Sequence, residues 1–417
     1  MLLSGSTPKL GRKAKFRGDA KALTEVDLSI DFCGLELQNP FLLSSGPPTS
    51  KTEMIERAFS KGWSGVVTKA LGLKPRPNPH PRITALSFEG KMIGLENIES
   101  VIYPLGDWLP KIKSLKTKYP DRLLIANLIG ELDASSWQQM TRKVQDAGFD
   151  MIELNLSCPL TEEQRTVGAI VGQDPRSTCD VVGWVKEVAD IPIMVKLTPN
   201  VTDISLIAKA AEEGGADALS AINTVLGFTG IDLETMEPKP SVNGTSAFGG
   251  YSGPAIKPIA LRCVAQVAKS TRLPISSIGG ISTWMDAAEF LMVGASTLQL
   301  CTAVMFRGYR IIDHLKDGLA NYLVGKGFTS VRDIVGYVLP KITGLEKLDF
   351  THRVIPLLDR SKCTKCGLCR TASRNVTCEA IELDEERLPT ISEEKCDGCG
   401  FCAQVCPAEA LLLTRRQ

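Results

Sequence analysis

The chain has almost no excess of either charge: 48 lysines and arginines face 47 aspartates and glutamates, for a formal net charge of +1. That balance excludes the broad basic field with which proteins grip nucleic acid. No apolar run reaches the ~20 residues that a bilayer-crossing helix needs. The first 18 residues are basic (Lys9, Arg12, Lys13, Lys15, Arg17) and lack the apolar centre of a secretory signal, so a solvated arm is expected over residues 1–24. No candidate strand is followed by G-x-G-x-x-G, the turn that carries a dinucleotide pyrophosphate in open doubly wound sheets. What remains is an ordinary globular composition, 43% hydrophobic and 23% charged, on 417 residues. That length exceeds one ordinary core, and two domains are expected.

Cysteine is unevenly spread. Of 13 cysteines, eight fall between Cys363 and Cys406. Nothing in the chain directs secretion, so this density does not read as a disulfide framework. The other five are Cys33, Cys158, Cys179, Cys263 and Cys301, and each is first of all a small buried hydrophobe.

From residue 40 to about 305, short β-rich runs alternate with amphipathic stretches. The runs are FLLSSG (41–46), GVVTKA (65–70), LLIANLIG (123–130), MIELNLS (151–157), IPIMVKLT (191–198), ALSAINT (218–224), PISSIGGI (274–281) and TLQLCTAV (297–304). They are continuously apolar rather than alternating, as strands of a parallel sheet covered by helices should be. Eight such units over about 265 residues predict a closed (β/α)8 TIM barrel, with an open doubly wound sheet as the structural alternative. The expected layout is an arm (1–24), a barrel (25–320), a helical linker (321–355) and a small cysteine-rich domain (356–417).

Seven of the runs turn polar at their C-terminal ends: Thr68-Lys69, Asn127, Asn155-Leu156-Ser157-Cys158, Lys196, Asn223-Thr224, Gly279-Gly280 and Cys301-Thr302. In a barrel those ends share one face, the active-site face. Buried polar groups need partners, so seven pointing into one bowl imply a ligand. SSIGGIST puts two glycines between a strand and a helix, where backbone N–H groups can approach a phosphate. GGYSG reads as a second small-residue loop around Gly250 and Gly253. A phosphate site beside the inward cations Lys69 and Lys196 suits flavin mononucleotide (FMN), whose reduced ring a lysine would stabilise.

The segments NPFLLSSGP, VVTKA, LENIES, LNLSCP, VKLTPN, AINTV, GGYSG and SIGGI, followed by the terminal cysteine motifs, occur in that order. Together they resemble the flavin and iron–sulfur subunits of NAD-dependent dihydropyrimidine dehydrogenases and, more distantly, dihydroorotate dehydrogenases. The resemblance implies an FMN-bearing barrel that reduces uracil or thymine to the 5,6-dihydro base, in the cytoplasm. It implies Cys158 as the catalytic thiol that protonates the pyrimidine. Asn97, Glu99, Asn155, Ser157, Asn223 and Thr224 match substrate contacts; Ser45, Lys69, Ala70, Lys196, Gly253, Ile278, Gly279, Gly280, Cys301 and Thr302 match flavin contacts. Amide side chains suit uracil, whose edge alternates carbonyls and N–H groups. Asn155 and Ser157 are two apart, so on a strand both face the same way. A dihydroorotate dehydrogenase with a fused ferredoxin domain and a non-catalytic electron carrier are the alternatives. Orotate would call for a dedicated cation, and Glu99 at the substrate edge speaks against it.

KCDGCGFCAQVCP supplies Cys396, Cys399, Cys402 and Cys406 in the C-x2-C-x2-C-x3-C-P spacing of bacterial-type ferredoxins, whose fourth cysteine serves the other cluster. Residues 356–417 therefore read as a small ferredoxin-like iron–sulfur domain, with one [4Fe-4S] cluster expected on Cys363, Cys366, Cys369 and Cys406. The second should use Cys396, Cys399 and Cys402, but the position that would complete it is Ser373. Cys378 is the expected replacement, with ligation through Ser373 oxygen or a three-iron cluster as alternatives. Clusters pass single electrons and this chain lacks a nicotinamide fingerprint. The resemblance therefore implies a partner subunit carrying FAD and the NAD(H) site, joined to a homodimer of this chain in a heterotetramer.

Overall fold

The computed structural model describes residues 26–99, 101–157, 168–376 and 378–415; the basic arm and Cys158 lie outside them. The described chain divides into two compact units at Ile342/Thr343, within the stretch given above to the linker.

The first unit is a closed barrel. Its strands are β1 (Phe41–Leu43), β2 (Gly65–Val67), β3 (Leu123–Leu128), β4 (Met151–Leu154), β5 (Ile193–Leu197), β6 (Ala218–Ala221), β7 (Ile275–Ile278) and β8 (Thr297–Leu300). Each pairs in parallel with the next, and β8 returns to β1 with Leu298 opposite Phe41. All eight expected runs form strands, and the open sheet is excluded. Asn127 and Lys196 lie within β3 and β5, whereas Lys69, Asn155, Asn223, Gly279 and Cys301 lie beyond the ends of their strands.

Helices follow the strands on the outside, and side-chain caps set their starts. Asp133 accepts the Ser135 and Ser136 N–H groups, Asp174 that of Ser177 and Asp203 that of Ser205. Thr283 and Asp286 exchange hydrogen bonds in a capping box ahead of helix Trp284–Met292. The core between helices and strands contains the fully buried Trp63, Trp137, Phe41, Phe290 and Leu124. A change such as Leu124→Ala would cost about 2–5 kcal/mol there. Helix Ile311–Lys326 belongs to this unit and buries Ile312, Leu319 and Leu323.

A four-stranded antiparallel sheet, not expected from the sequence, is added to the barrel. Its order is Val225–Gly227, Gly249–Ser252, Lys91–Asn97 and Ile83–Phe88. GGYSG is thus mainly strand rather than loop, with Gly250 opposite Asn97. Gly250 is small because of packing: a Cβ there would lie 2.3 Å from Thr224 Oγ1. Only Gly253, with φ 106°, needs glycine's backbone freedom.

The second unit pairs Val354–Leu358 with Leu411–Arg415 and Ile381–Leu383 with Pro389–Ile391, both antiparallel. Helices Leu368–Val376 and Phe401–Gln404 complete it. Its buried cluster consists of Cys369, Ile381, Cys402 and Leu411. Among the described residues, no helix is long and apolar enough to cross a membrane.

Candidate active site

The floor of the bowl is built on a carboxylate that the sequence reading passed over. Glu153, on β4, is fully buried inside the barrel. Asn127 Nδ2 donates to its Oε2 at 2.5 Å; Ser220 Oγ and Gln299 Nε2 donate to its Oε1 at 2.8 and 3.3 Å. Lys196 Nζ stands 3.6 Å from Oε2. A buried carboxylate survives only when paired and hydrogen-bonded, and strands β3, β5, β6 and β8 each supply one of these partners. The sign in the sequence was an acid inside an otherwise apolar strand, MIELNLS.

From this floor a chain of amides climbs to the rim. Asn155 Nδ2 donates to Asn127 Oδ1 at 3.2 Å, and Asn223 Nδ2 donates to Asn155 Oδ1 at 3.3 Å and to Ser157 Oγ at 2.9 Å. Asn223 Oδ1 in turn accepts the Thr224 N–H at 2.8 Å. Asn155 and Ser157 therefore do face one side, although both lie beyond the end of β4. Each amide is held by its neighbour, which fixes the edge offered to a ligand.

Above the amides is a cavity with about 1030 Å³ of empty space. Asn97, Glu99, Asn155, Asn223 and Thr224 line it, as do Ser45, Lys69, Lys196, Gly253, Ile278, Gly279, Gly280, Cys301 and Thr302. Two expected contacts do not reach it. Ala70 packs against Ile129 and Ile102, and fully buried Ser157 lies behind Asn223. Ser44, Gly46, Ser252 and Gln299 also line the cavity and were not anticipated. Ser252 Oγ and Thr302 Oγ1 are hydrogen-bonded at 2.8 Å, tying the added sheet to the loop after β8. Gly46 has no room for a side chain, because a Cβ would meet Cys301 Sγ at 2.3 Å. Burial pushes the Cys301 thiol up from 9.0 to about 11, so it is neutral at physiological pH.

The added sheet brings Asn97 and Glu99 over the cavity. Glu99 accepts from Asn97 Nδ2 at 3.2 Å, pairs with Lys69 Nζ at 2.6 Å, and has Arg82 Nε at 3.7 Å. Two cations beside one carboxylate remove the negative edge that Glu99 alone was expected to create. Asn97 Oδ1 and Gln299 Oε1 are buried without a hydrogen-bond partner among the described residues, although their residues line the cavity. Unpartnered acceptors, two lysines and the left-handed glycines Gly279 (φ 130°) and Gly280 (φ 82°) fit a flavin, whose ring presents carbonyl and N–H edges and whose phosphate seeks backbone donors.

The second unit holds two smaller cavities of about 350 Å³ each. Cys363, Cys366, Cys369 and Cys406 surround one; Cys378, Cys396, Cys399, Cys402 and Ser373 surround the other. Lys365, Gly367, Gly398 and Gly400 have φ between 60° and 80°, bending the cysteine-rich loops around these spaces. Among the described residues, no three His, Cys, Asp or Glu side chains converge on the position of a single ion. Thiols ringed about a space fit a multi-iron cluster rather than a lone zinc.

The dihydroorotate dehydrogenase family model matches residues 27–323, and a 4Fe-4S dicluster domain model matches residues 357–413. The chain is 42% identical over 365 residues to the NAD-dependent dihydropyrimidine dehydrogenase subunit PreA of Escherichia coli, covering 86% of this chain and 88% of that protein. It is 36% identical to the chloroplastic dihydropyrimidine dehydrogenase (NADP(+)) of Arabidopsis thaliana, covering 83% and 84%. It is 40% identical to the catalytic subunit of dihydroorotate dehydrogenase B (NAD(+)) of Pyrococcus horikoshii, covering 75% of this chain and 98% of that one. The crystal structure of a dihydroorotate dehydrogenase from Eimeria tenella, in complex with ferulenol, superposes with a TM-score of 0.63 at 23% identity over 75% of this chain and 88% of its own.

Proposed function

The chain belongs to the dihydroorotate dehydrogenase family and carries a 4Fe-4S dicluster domain, and from that premise we propose that it is the pyrimidine-reducing subunit of an NAD-dependent dihydropyrimidine dehydrogenase. The observation that carries the proposal is the held amide chain Asn127–Asn155–Asn223 rising into the cavity, in a chain that also has the dicluster domain. The Pyrococcus relative is covered almost to its full length, yet a quarter of this chain has no counterpart in it. The Escherichia coli relative extends over most of this chain.

In this reading Asn97, Asn155, Asn223 and Thr224 bind the carbonyl and N–H edges of uracil or thymine, each amide donating and accepting. Ser157 acts from behind by fixing Asn223. Glu99, tied to Lys69 and Arg82, orients the upper edge of the site. Cys158, outside the described residues, gives its proton to one carbon of the pyrimidine double bond and is reprotonated from water. Lys69, Lys196, Ser45, Gly253, Ile278, Gly279, Gly280, Cys301 and Thr302 hold the FMN, which when bound supplies hydride to the other carbon. Glu153 holds Lys196 in place.

Cys363, Cys366, Cys369 and Cys406 would hold one cluster and Cys396, Cys399 and Cys402 the other, and the pair would supply one-electron transfer from a partner subunit that carries FAD and the NAD(H) site. Phe88, Phe228 and Phe248 of the added sheet and its adjoining loops are exposed, and such an apolar surface suits a second copy of this chain in a heterotetramer. Thiolate clusters and a free catalytic thiol suit a reducing cytoplasm.

Anaerobic assay of the purified chain with reduced viologen against uracil, thymine and orotate tests the reading. Turnover of uracil or thymine is expected. Turnover of orotate alone would move the assignment to dihydroorotate chemistry, which the cations Lys69 and Arg82 beside the cavity would accommodate.

A further inference from the structure

We propose that Cys378 is the fourth ligand of the cluster held by Cys396, Cys399 and Cys402, and that Ser373 donates a hydrogen bond to its sulfur instead of binding iron. The inference rests on the iron–sulfur reading above and assigns the one position that the regular spacing leaves vacant. Ser373 occupies the place where the complete C-x2-C-x2-C-x3-C motif has its last cysteine. Its side chain is buried at the edge of the second cavity, which Cys378 also lines. Cys378 Sγ stands 3.8 Å from Ser373 Oγ, close to where the sulfur of a cysteine at position 373 would be.

The serine builds the loop that makes this possible. Ser373 Oγ accepts the Ala380 N–H at 2.9 Å, and its carbonyl oxygen accepts the Glu379 N–H at 3.4 Å. Glu379 itself has φ 43°, a left-handed turn that brings the chain back across the end of helix Leu368–Val376. With Ala380 occupying an acceptor site on the hydroxyl, its O–H is left to donate, and the sulfur at 3.8 Å is within the reach of an O–H···S contact. Iron prefers thiolate to a serine oxygen, and the thiol loses its proton to solvent on ligation far more readily than an alcohol does. A hydrogen bond to a ligand sulfur stabilises the more negative, reduced cluster and raises its potential.

Iron and sulfide analysis of the full chain, with electron paramagnetic resonance and a redox titration, tests this. The unaltered chain should hold about eight irons. Cys378→Ala should show the signal of an oxidised three-iron cluster, with exogenous thiol plus ferrous iron under reducing conditions restoring the fourth iron, and the double variant S373C/C378A should hold four irons there without added thiol. Ser373→Ala should keep the iron and shift one cluster's reduction equilibrium roughly tenfold toward the oxidised form, about 59 mV for one electron. Full iron and an unchanged spectrum in Cys378→Ala, or cluster loss on Ser373→Ala alone, would overturn the assignment while leaving the iron–sulfur reading intact. An unaltered chain without iron would overturn both.

Discussion

The two units solve the burial problem differently. The barrel unit buries large apolar side chains such as Trp63, Phe41 and Leu124 between its helices and strands, and Glu153 organises the polar groups on the floor of its cavity. The C-terminal unit has a buried cluster of four residues, and two of them, Cys369 and Cys402, are expected cluster ligands. A barrel of this size stands on its own hydrophobic core. The small unit has too little apolar area for that, and ligation supplies what burial does not. Loss of a cofactor should therefore leave one unit folded and undo the other.

The strongest test of this contrast is anaerobic removal of iron by a chelator. Hydrogen exchange should show Val354–Leu358 and Leu411–Arg415 losing protection completely, while β1 to β8 keep theirs; a protected tail without iron would break the comparison. Next is Cys158→Ala. It should retain flavin absorbance and lower pyrimidine turnover by about 10²–10⁴-fold, the usual worth of a positioned proton donor. Near-normal turnover in steady-state assay would remove the role.

Glu153→Ala attacks the polar floor of the barrel and leaves Lys196 buried without its counter-charge. Denaturant unfolding of the barrel should show a loss of about 3–5 kcal/mol, as when one partner of a buried pair is deleted. A value near zero would mean that the network does not contribute to holding the barrel. Asn223→Ala strips the donor to Asn155 and Ser157; with about 1–3 kcal/mol at stake, KM for the pyrimidine should rise roughly 5- to 100-fold, and an unchanged KM would place the substrate elsewhere.

The smallest effect concerns Cys301. Its thiol is raised in the folded chain, from 9.0 to about 11, so an unfolded chain loses this proton first as pH rises. The stability it contributes is complete below pH 9 and is lost between about 9 and 11. Cys301→Ser should flatten that part of the curve of melting temperature against pH relative to the unaltered chain; parallel curves would show that the thiol is not the group responsible.

The barrel was legible because strands buried on both faces must be continuously apolar, and eight such runs leave few arrangements. The bowl was legible because polar residues ended those runs. Glu153 and Gln299 were visible in MIELNLS and TLQL, yet a single polar letter inside an apolar run does not say which strands will surround it. The added sheet escaped detection because ITALSF is mostly exposed and KMIGLEN is buried only in its second half, so neither has the burial pattern of a barrel strand. GGYSG misled for a physical reason: Gly250 is small to admit the Thr224 side chain, and sequence does not distinguish that from a loop glycine. Ala70 is one residue past the lining Lys69 and packs away from the cavity, whereas Ser157, two residues past Asn155 and on the same side, is covered by Asn223.

The added sheet takes its strands from two separate insertions, one between β2 and β3 and one between β6 and β7. Asn97 and Glu99 come from the first, and Gly253 from the second, whereas Lys69, Lys196 and Gly279 stand at strand ends of the barrel itself. The upper wall of the cavity is thus drawn from two insertions, and its floor from the strand ends of the barrel. Evolution, or an engineer, can exchange the two insertions together as a cassette and reshape the upper wall of the cavity while leaving the Glu153 network beneath it in place.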